Sequence, residues 1–263
     1  MRHLARVGLA AASLLVLAAC SSAPSDEAKT LQVVAVQSPM TDVVEAAATA
    51  IGDGYEIELV QVSDYVTVNT MLAAGDVDAN FSQHVPYMEL FNAGNDADLT
   101  GVQPVYNFTI AFYSKEYADI ADLPQGAKVA IADDASNRGR ALKLLADAGL
   151  ISLDSAVDPY ASDVGDIVDN PLELEFLQVG IPLLNAAYDE ADLVFQWPSH
   201  IAALGLNPHD HGLITELDDR FALYLVVNGK DADSEATQAL KAAFASDAVR
   251  EVIEANETIE VAF

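Results

Sequence analysis

Short β-branched apolar runs alternate along this chain with longer stretches of helical period. Leu31 to Val36 reads as a strand, and Thr41-Asp42 is predicted to cap a helix that runs to about Ile51. Glu56 to Val62 alternates in polarity as a strand does. Ser63-Asp64 then opens a helix over Tyr65 to Ala74, which Gly75 ends because glycine tolerates the left-handed conformation of a helix terminus. Further strand signals fall at Gly101 to Tyr106, Phe108 to Ser114, Lys128 to Ala132, Leu172 to Gln178, Ala191 to Phe195 and Phe221 to Val227. Helical stretches fill most of the gaps and no repeat interrupts the series, so the pattern predicts an α/β architecture.

The alternation has a seam. It falls near Phe108 to Tyr117, after which Leu123-Pro124-Gln125-Gly126 opens a second strand and helix series that ends near Leu217. The last helical segments, Ser234 to Ala245 and Asp247 to Glu254, are too few to form a domain and are expected to return to the first series. That gives lobe 1 from residues 31–110 plus 223–263 and lobe 2 from residues 111–222. Two crossings join them, and a cleft lies between them of the kind that ligands occupy.

The N-terminus departs from this pattern. Arg2 and Arg6 precede an apolar run, Val7 to Ala19, that is too short to span a bilayer, so residues 1–19 read as a secretory signal. Leu17-Ala18-Ala19-Cys20 resembles the lipobox of bacterial lipoproteins, in which the cysteine is acylated and becomes the mature N-terminus. Residues 20–30 then form a lipidated end and a small, polar tether. Cys20 is the only cysteine, so the folded body is predicted to have neither disulfides nor thiolate metal sites. The chain carries 41 acidic against 12 basic side chains, a formal charge of −29. Nucleic acid and anionic lipid are repelled by such a surface, and neither is expected as a partner.

The densest cluster of unusual residues is Gly75-Asp76-Val77-Asp78-Ala79-Asn80 followed by Gln83-His84-Val85-Pro86-Tyr87. Asp64-Tyr65-Val66 precedes it, and Asn137-Arg138-Gly139-Arg140-Ala141-Leu142 and Val168-Asp169-Asn170-Pro171 follow. These motifs, in this order behind a lipobox, resemble the NlpA/MetQ family, the lipoprotein substrate-binding components of methionine ABC importers. The resemblance runs from about Leu31 to the C-terminus. It implies a two-lobed periplasmic-binding-protein fold of type II character, each lobe a mixed sheet flanked by helices, with two hinge crossings. It also implies an extracytoplasmic monomer, held to the cell membrane by its lipid, that delivers methionine or a related amino acid to a permease and through it to a cytosolic ATPase. No cofactor, metal or catalytic group is called for.

The residues permit that role. Arg140 can grip a carboxylate with two parallel N–H donors, as the matching family arginine does, and a helix start near Asn137 would favour the same anion. A helix-face ion pair is the other reading of Arg140. Tyr65, His84, Tyr87 and Phe108 match positions that line the family's methionine pocket, although Tyr87 and Phe108 are equally consistent with core. Three positions depart from the family pattern. Ser82 stands where an aromatic precedes Gln-His, and Trp197 and Tyr224 fall where two asparagines hold the ligand's backbone groups. Losing both amides points to a rebuilt site, and a different small solute in the same transport role is the alternative.

Two other classes compete with this reading. His209-Asp210-His211, with His200 nearby, suggests a metal-binding lipoprotein only if a third ligand converges. An exported serine hydrolase would want a G-x-S-x-G elbow, which the chain lacks, and the chain is not expected to be an enzyme.

Overall fold

The structure is a computed structural model that describes residues 28–263. Cys20 and the signal read from residues 1–19 lie outside the described residues. The chain begins with β1 (Lys29–Ala35), α1 (Met40–Ala50), β2 (Tyr55–Gln61) and α2 (Tyr65–Ala74). It continues through β3 (Ala79–His84), α3 (Val85–Asn95) and β4 (Leu99–Phe108). These strands, with β12 (Leu223–Asn228) and β13 (Ile259–Val261), form a six-stranded sheet in the order β13-β4-β12-β3-β1-β2. β1 runs parallel to β2 and β3, whereas β12 is antiparallel to both β3 and β4. Helices α8 (Glu235–Phe244) and α9 (Asp247–Glu254) follow β12, and α1 packs against both.

The second sheet is built from β5 (Ile110–Tyr113), β6 (Lys128–Ala132), β9 (Glu175–Val179), β10 (Leu193–Gln196) and β11 (Ile214–Glu216), ordered β11-β5-β10-β6-β9. Between β6 and β9 come α4 (Ala135–Asp147) and a small hairpin of β7 (Ser152–Leu153) and β8 (Ile167–Asp169). Three single-turn helices complete this half: α5 (Leu184–Ala187), α6 (Pro198–Ile201) and α7 (Pro208–His211). The chain passes from the first sheet to the second between β4 and β5, and back between β11 and β12.

Most elements coincide with the sequence reading because their patterns are strong. The predicted α2 is found with Asp64 accepting from the backbone N–H of Val66 and Thr67, and with Gly75 left-handed at φ 80°. Three differences have physical causes. Thr41-Asp42 does not cap α1; the N-cap is Pro39, without a side-chain cap, and Asp42 instead accepts a hydrogen bond from the Ser38 hydroxyl. β1 starts at Lys29, inside the stretch read as tether, because all seven of its residues pair with β2. The third is β3, which the apolar pattern missed. Four of its six residues are polar, yet the whole strand is buried between β1 and β12.

Candidate functional site

Buried polar residues need partners, and β3 obtains them from α2. Asn69 is fully buried; its Nδ2 donates to Gln83 Oε1 at 2.7 Å, and its Oδ1 accepts from Asn80 Nδ2 at 2.7 Å. The network fixes the end of β3. A register shift against Tyr224 and Leu225 bulges the strand at Ser82, so consecutive residues Ser82, Gln83 and His84 all reach one cavity between the two sheets.

That cavity lies between the two lobes and opens to solvent. Lobe 1 supplies Tyr65 from α2, Tyr87 from α3, and Tyr106 and Phe108 from β4. Lobe 2 supplies Asn137 from α4, Ile181, and the segment Trp197 to His200. Six of the eight residues singled out in the sequence therefore meet here: Tyr65, His84, Tyr87, Phe108, Asn137 and Trp197.

Two hydrogen bonds cross the cleft between residues of the cavity wall. His84 Nε2 lies 3.0 Å from Asn137 Oδ1, while His84 Nδ1 accepts from the Tyr87 backbone N–H and caps α3. That cap assigns the proton to Nε2, which donates to Asn137. Asn137 is oriented in turn by Nδ2 donating to the Asp134 carboxylate. The second link joins Tyr65 Oη and His200 Nε2 at 2.9 Å, with the rings stacked 5.8 Å apart. Burial pushes the His84 pKa down to about 4, and the Arg140 charge acts in the same direction. His200, also buried in the cleft, is pushed down to about 4.

Arg140 does not line the cavity. It is the largest fully buried side chain among the described residues. Its Nε donates to Glu216 Oε2 at 2.8 Å, and its Cζ lies 4.2 Å from the Phe221 ring centroid and 5.3 Å from that of Phe108. Nη1 of Arg140 and Oε1 of Glu216 are both buried without a partner. The N-terminus of α4 is likewise engaged, because Asp134 accepts from the Asn137 backbone N–H.

The two departures from the family pattern are placed differently. Trp197 is on the cavity wall, its backbone N–H held by Gln196 Oε1 and its ring edge-on to Phe195 at 5.5 Å. Tyr224 is not on the wall. Its ring lies over Gly101, where a Cβ would come within 3.0 Å of Tyr224 Cδ1, and the adjacent Leu223 turns toward the cavity instead. Sequence reasoning passed over Met40, Ser82, Tyr106 and Leu223 as wall residues. Only the alternation along β12 pointed to Leu223, since a strand that turns residue 224 away turns residue 223 inward.

His209 bonds its own neighbour, Asp210, at 2.8 Å on an exposed turn, whereas His200 faces the cleft. Among the described residues no group of three or more His, Cys, Asp or Glu is placed to hold a metal ion. Nor is any described helix long and apolar enough to cross a membrane.

Known proteins share this architecture. The methionine-binding lipoprotein MetQ of Bacillus subtilis is 32% identical over 247 residues, covering 91% of this chain and 90% of the relative. A probable D-methionine-binding lipoprotein MetQ of Haemophilus influenzae is 35% identical over 237 residues, covering 87% and 86%. The structure of a nutrient-binding protein from Burkholderia cenocepacia bound to methionine superposes with a TM-score of 0.84 at 28% identity, covering 89% of this chain and all of that one. The model of the NlpA lipoprotein family matches residues 31–262. With its two-lobed periplasmic-binding-protein fold and relatives across nearly its whole length, the chain belongs to the NlpA lipoprotein family.

Proposed function

We propose that this chain is the solute-binding component of an ABC importer, anchored through Cys20 on the extracytoplasmic side of the cell membrane. A monomer on a short tether stays near its permease, at a high effective concentration, and hands one small solute at a time to a machine driven by a cytosolic ATPase. The observation that carries this reading is the cavity between the lobes, with His84–Asn137 and Tyr65–His200 joining its two sides. Contacts of that kind exist only when the lobes are closed, so closure can report that the site is loaded. A named structural neighbour is itself an ABC transporter periplasmic substrate-binding protein, from Coxiella burnetii, which supports the transport role.

The relatives' names make methionine the reference solute. The aromatic wall suits an apolar side chain carrying a thioether, and Arg140 is the candidate for a carboxylate. A second reading, a different small solute in the same role, is favoured by Trp197 on the wall and by Arg140 already bonded to Glu216.

Small-angle scattering and thermal unfolding of the full chain, with and without candidate solutes, test the importer reading. A bound solute should compact the protein and raise its Tm without being consumed, as mass action requires. A solute that is chemically turned over, or one that binds with no change in lobe closure, would refute it.

A further inference from the structure

Among the described residues the cavity wall holds no lysine, arginine, aspartate or glutamate, but one ion pair stands directly behind it. Arg140 Cζ lies 5.3 Å from the ring centroid of Phe108, a wall residue, and Arg140 Nε donates to Glu216 Oε2 at 2.8 Å. The side chain of Arg140 is 1% exposed and that of Glu216 is 19% exposed, so little water is present to screen either charge. The Arg140 charge is felt at the wall, where it joins burial in lowering the pKa of His84.

One bond joins the pair where the fork of an arginine could make two. Nη1 of Arg140 and Oε1 of Glu216 are left buried without a partner. A spare donor on a cation and a spare acceptor on an anion each cost stability until something meets them. Nearby carboxylates are occupied elsewhere. Asp218, whose charge also reaches Arg140, accepts from the Tyr160 hydroxyl and the Arg220 backbone N–H, and Asp134 accepts from the side-chain and backbone amides of Asn137. Among the described residues, Glu216 is the carboxylate within ion-pair distance of Arg140.

A lone Arg140 behind the wall would attract any anion, whatever else the molecule carried. With Glu216 beside it the net charge is zero, and the cavity faces a positive and a negative end instead. A solute with one charge gains at one end and loses at the other. A solute with both, such as an α-amino acid, gains at both ends when it lies antiparallel to the pair.

Resting on the solute-binding reading above, we infer that Glu216 is a specificity-determining residue: as the partner of Arg140, it makes the cleft select a zwitterion over a plain carboxylate.

A charge series built on one side chain tests this by calorimetry on the full chain in detergent. The probes are L-methionine, its 2-hydroxy acid analogue, which keeps the carboxylate and loses the ammonium, and L-methioninol, which keeps the ammonium and loses the carboxylate. L-Methionine should bind at least tenfold more tightly than either. Glu216→Gln keeps an acceptor for Arg140 Nε and removes the negative charge, so it should tighten the hydroxy acid and weaken L-methioninol. The preference for L-methionine over the hydroxy acid should fall at least fivefold, and Glu216→Asp should restore it. A wild-type chain that binds the hydroxy acid as tightly as L-methionine would overturn the inference with no variant needed. So would a Glu216→Gln protein whose three affinities all change by one factor, the mark of a merely structural role. L-Methionine that binds without lobe closure in scattering would refute the importer reading alone, because the ratios among the probes would still report on Glu216.

Discussion

Replacing Asn69 by leucine isolates what the polar network under β3 contributes. Asn69 is fully buried and the two side chains share the number and branching of heavy atoms, so the main chemical change is the loss of one buried amide. Three hydrogen bonds disappear: Asn69 Nδ2 to Gln83 Oε1, Asn80 Nδ2 to Asn69 Oδ1, and Gln83 Nε2 to the same oxygen. Gln83 Nε2 keeps Asn80 Oδ1 at 3.2 Å, but Gln83 Oε1 and Asn80 Nδ2 are left buried and alone. Each orphan costs about 1–3 kcal/mol, and the added apolar contact of leucine returns about 1 kcal/mol, for a net loss of about 3 kcal/mol. That is a large fraction of the stability of an ordinary domain. Urea unfolding should show a lower midpoint at unchanged m. In a double-mutant cycle with Gln83→Leu, the pair should destabilise by at least about 1 kcal/mol less than the sum of the singles, because removing both partners leaves fewer orphans. A single-mutant loss below 1 kcal/mol, or strict additivity, would refute the reasoning.

The remaining predictions concern the wall, its pH response and one close approach. Trp197→Asn should raise L-methionine affinity at least tenfold by calorimetry, whereas Tyr224→Asn should not, since Tyr224 packs on Gly101 away from the cavity; a gain in both or in neither contradicts the placement. The folded pKa of His84 lies near 4, below the 6.5 of an exposed histidine, so the unfolded chain binds the extra proton first. Its contribution is full above pH 6.5 and is lost as pH falls from 6.5 to 4, to the extent of about 3 kcal/mol. His84→Gln should flatten the urea-derived stability curve over that window; an unchanged slope would count against the assignment. Gly139→Ala should unfold several degrees lower, because a Cβ there would sit 2.1 Å from the carbonyl oxygen of Tyr160, a backbone atom with nowhere to go.

How much of this was legible in the sequence depended on whether burial and polarity agreed. β6 was read at its true limits because Lys128 to Ala132 is apolar and flanked by a turn and a cap, and α2 because Asp64 and Gly75 mark its ends in the residues themselves. β3 was invisible to the same rule: Asn80, Ser82, Gln83 and His84 are as buried as a core strand, but the partners of Asn80, Gln83 and His84 come from α2 and across the cleft. Long-range pairing of that kind leaves no period in the sequence. The motif residues around His84 could be assembled by resemblance, but the side to which each turns could not. Tyr224 shows why, since a one-residue step on a strand moves a side chain from the cavity to the opposite face.

The surface and the cavity make opposite use of charge, and distance separates them. A formal charge of −29 would by itself repel anions, yet salt screens exposed charges beyond about 8 Å at physiological strength. Within a closed cleft, selection therefore falls to groups in direct contact with the solute, where screening water is absent. Arg140, behind Phe108, is bonded to Glu216 but keeps Nη1 without a partner. Since the field outside is diluted by salt, raising the salt concentration should leave the affinity of L-methionine within about twofold. An affinity for that probe that falls steeply with salt in calorimetry would mean that exposed surface charge, and not the groups within the cleft, governs binding.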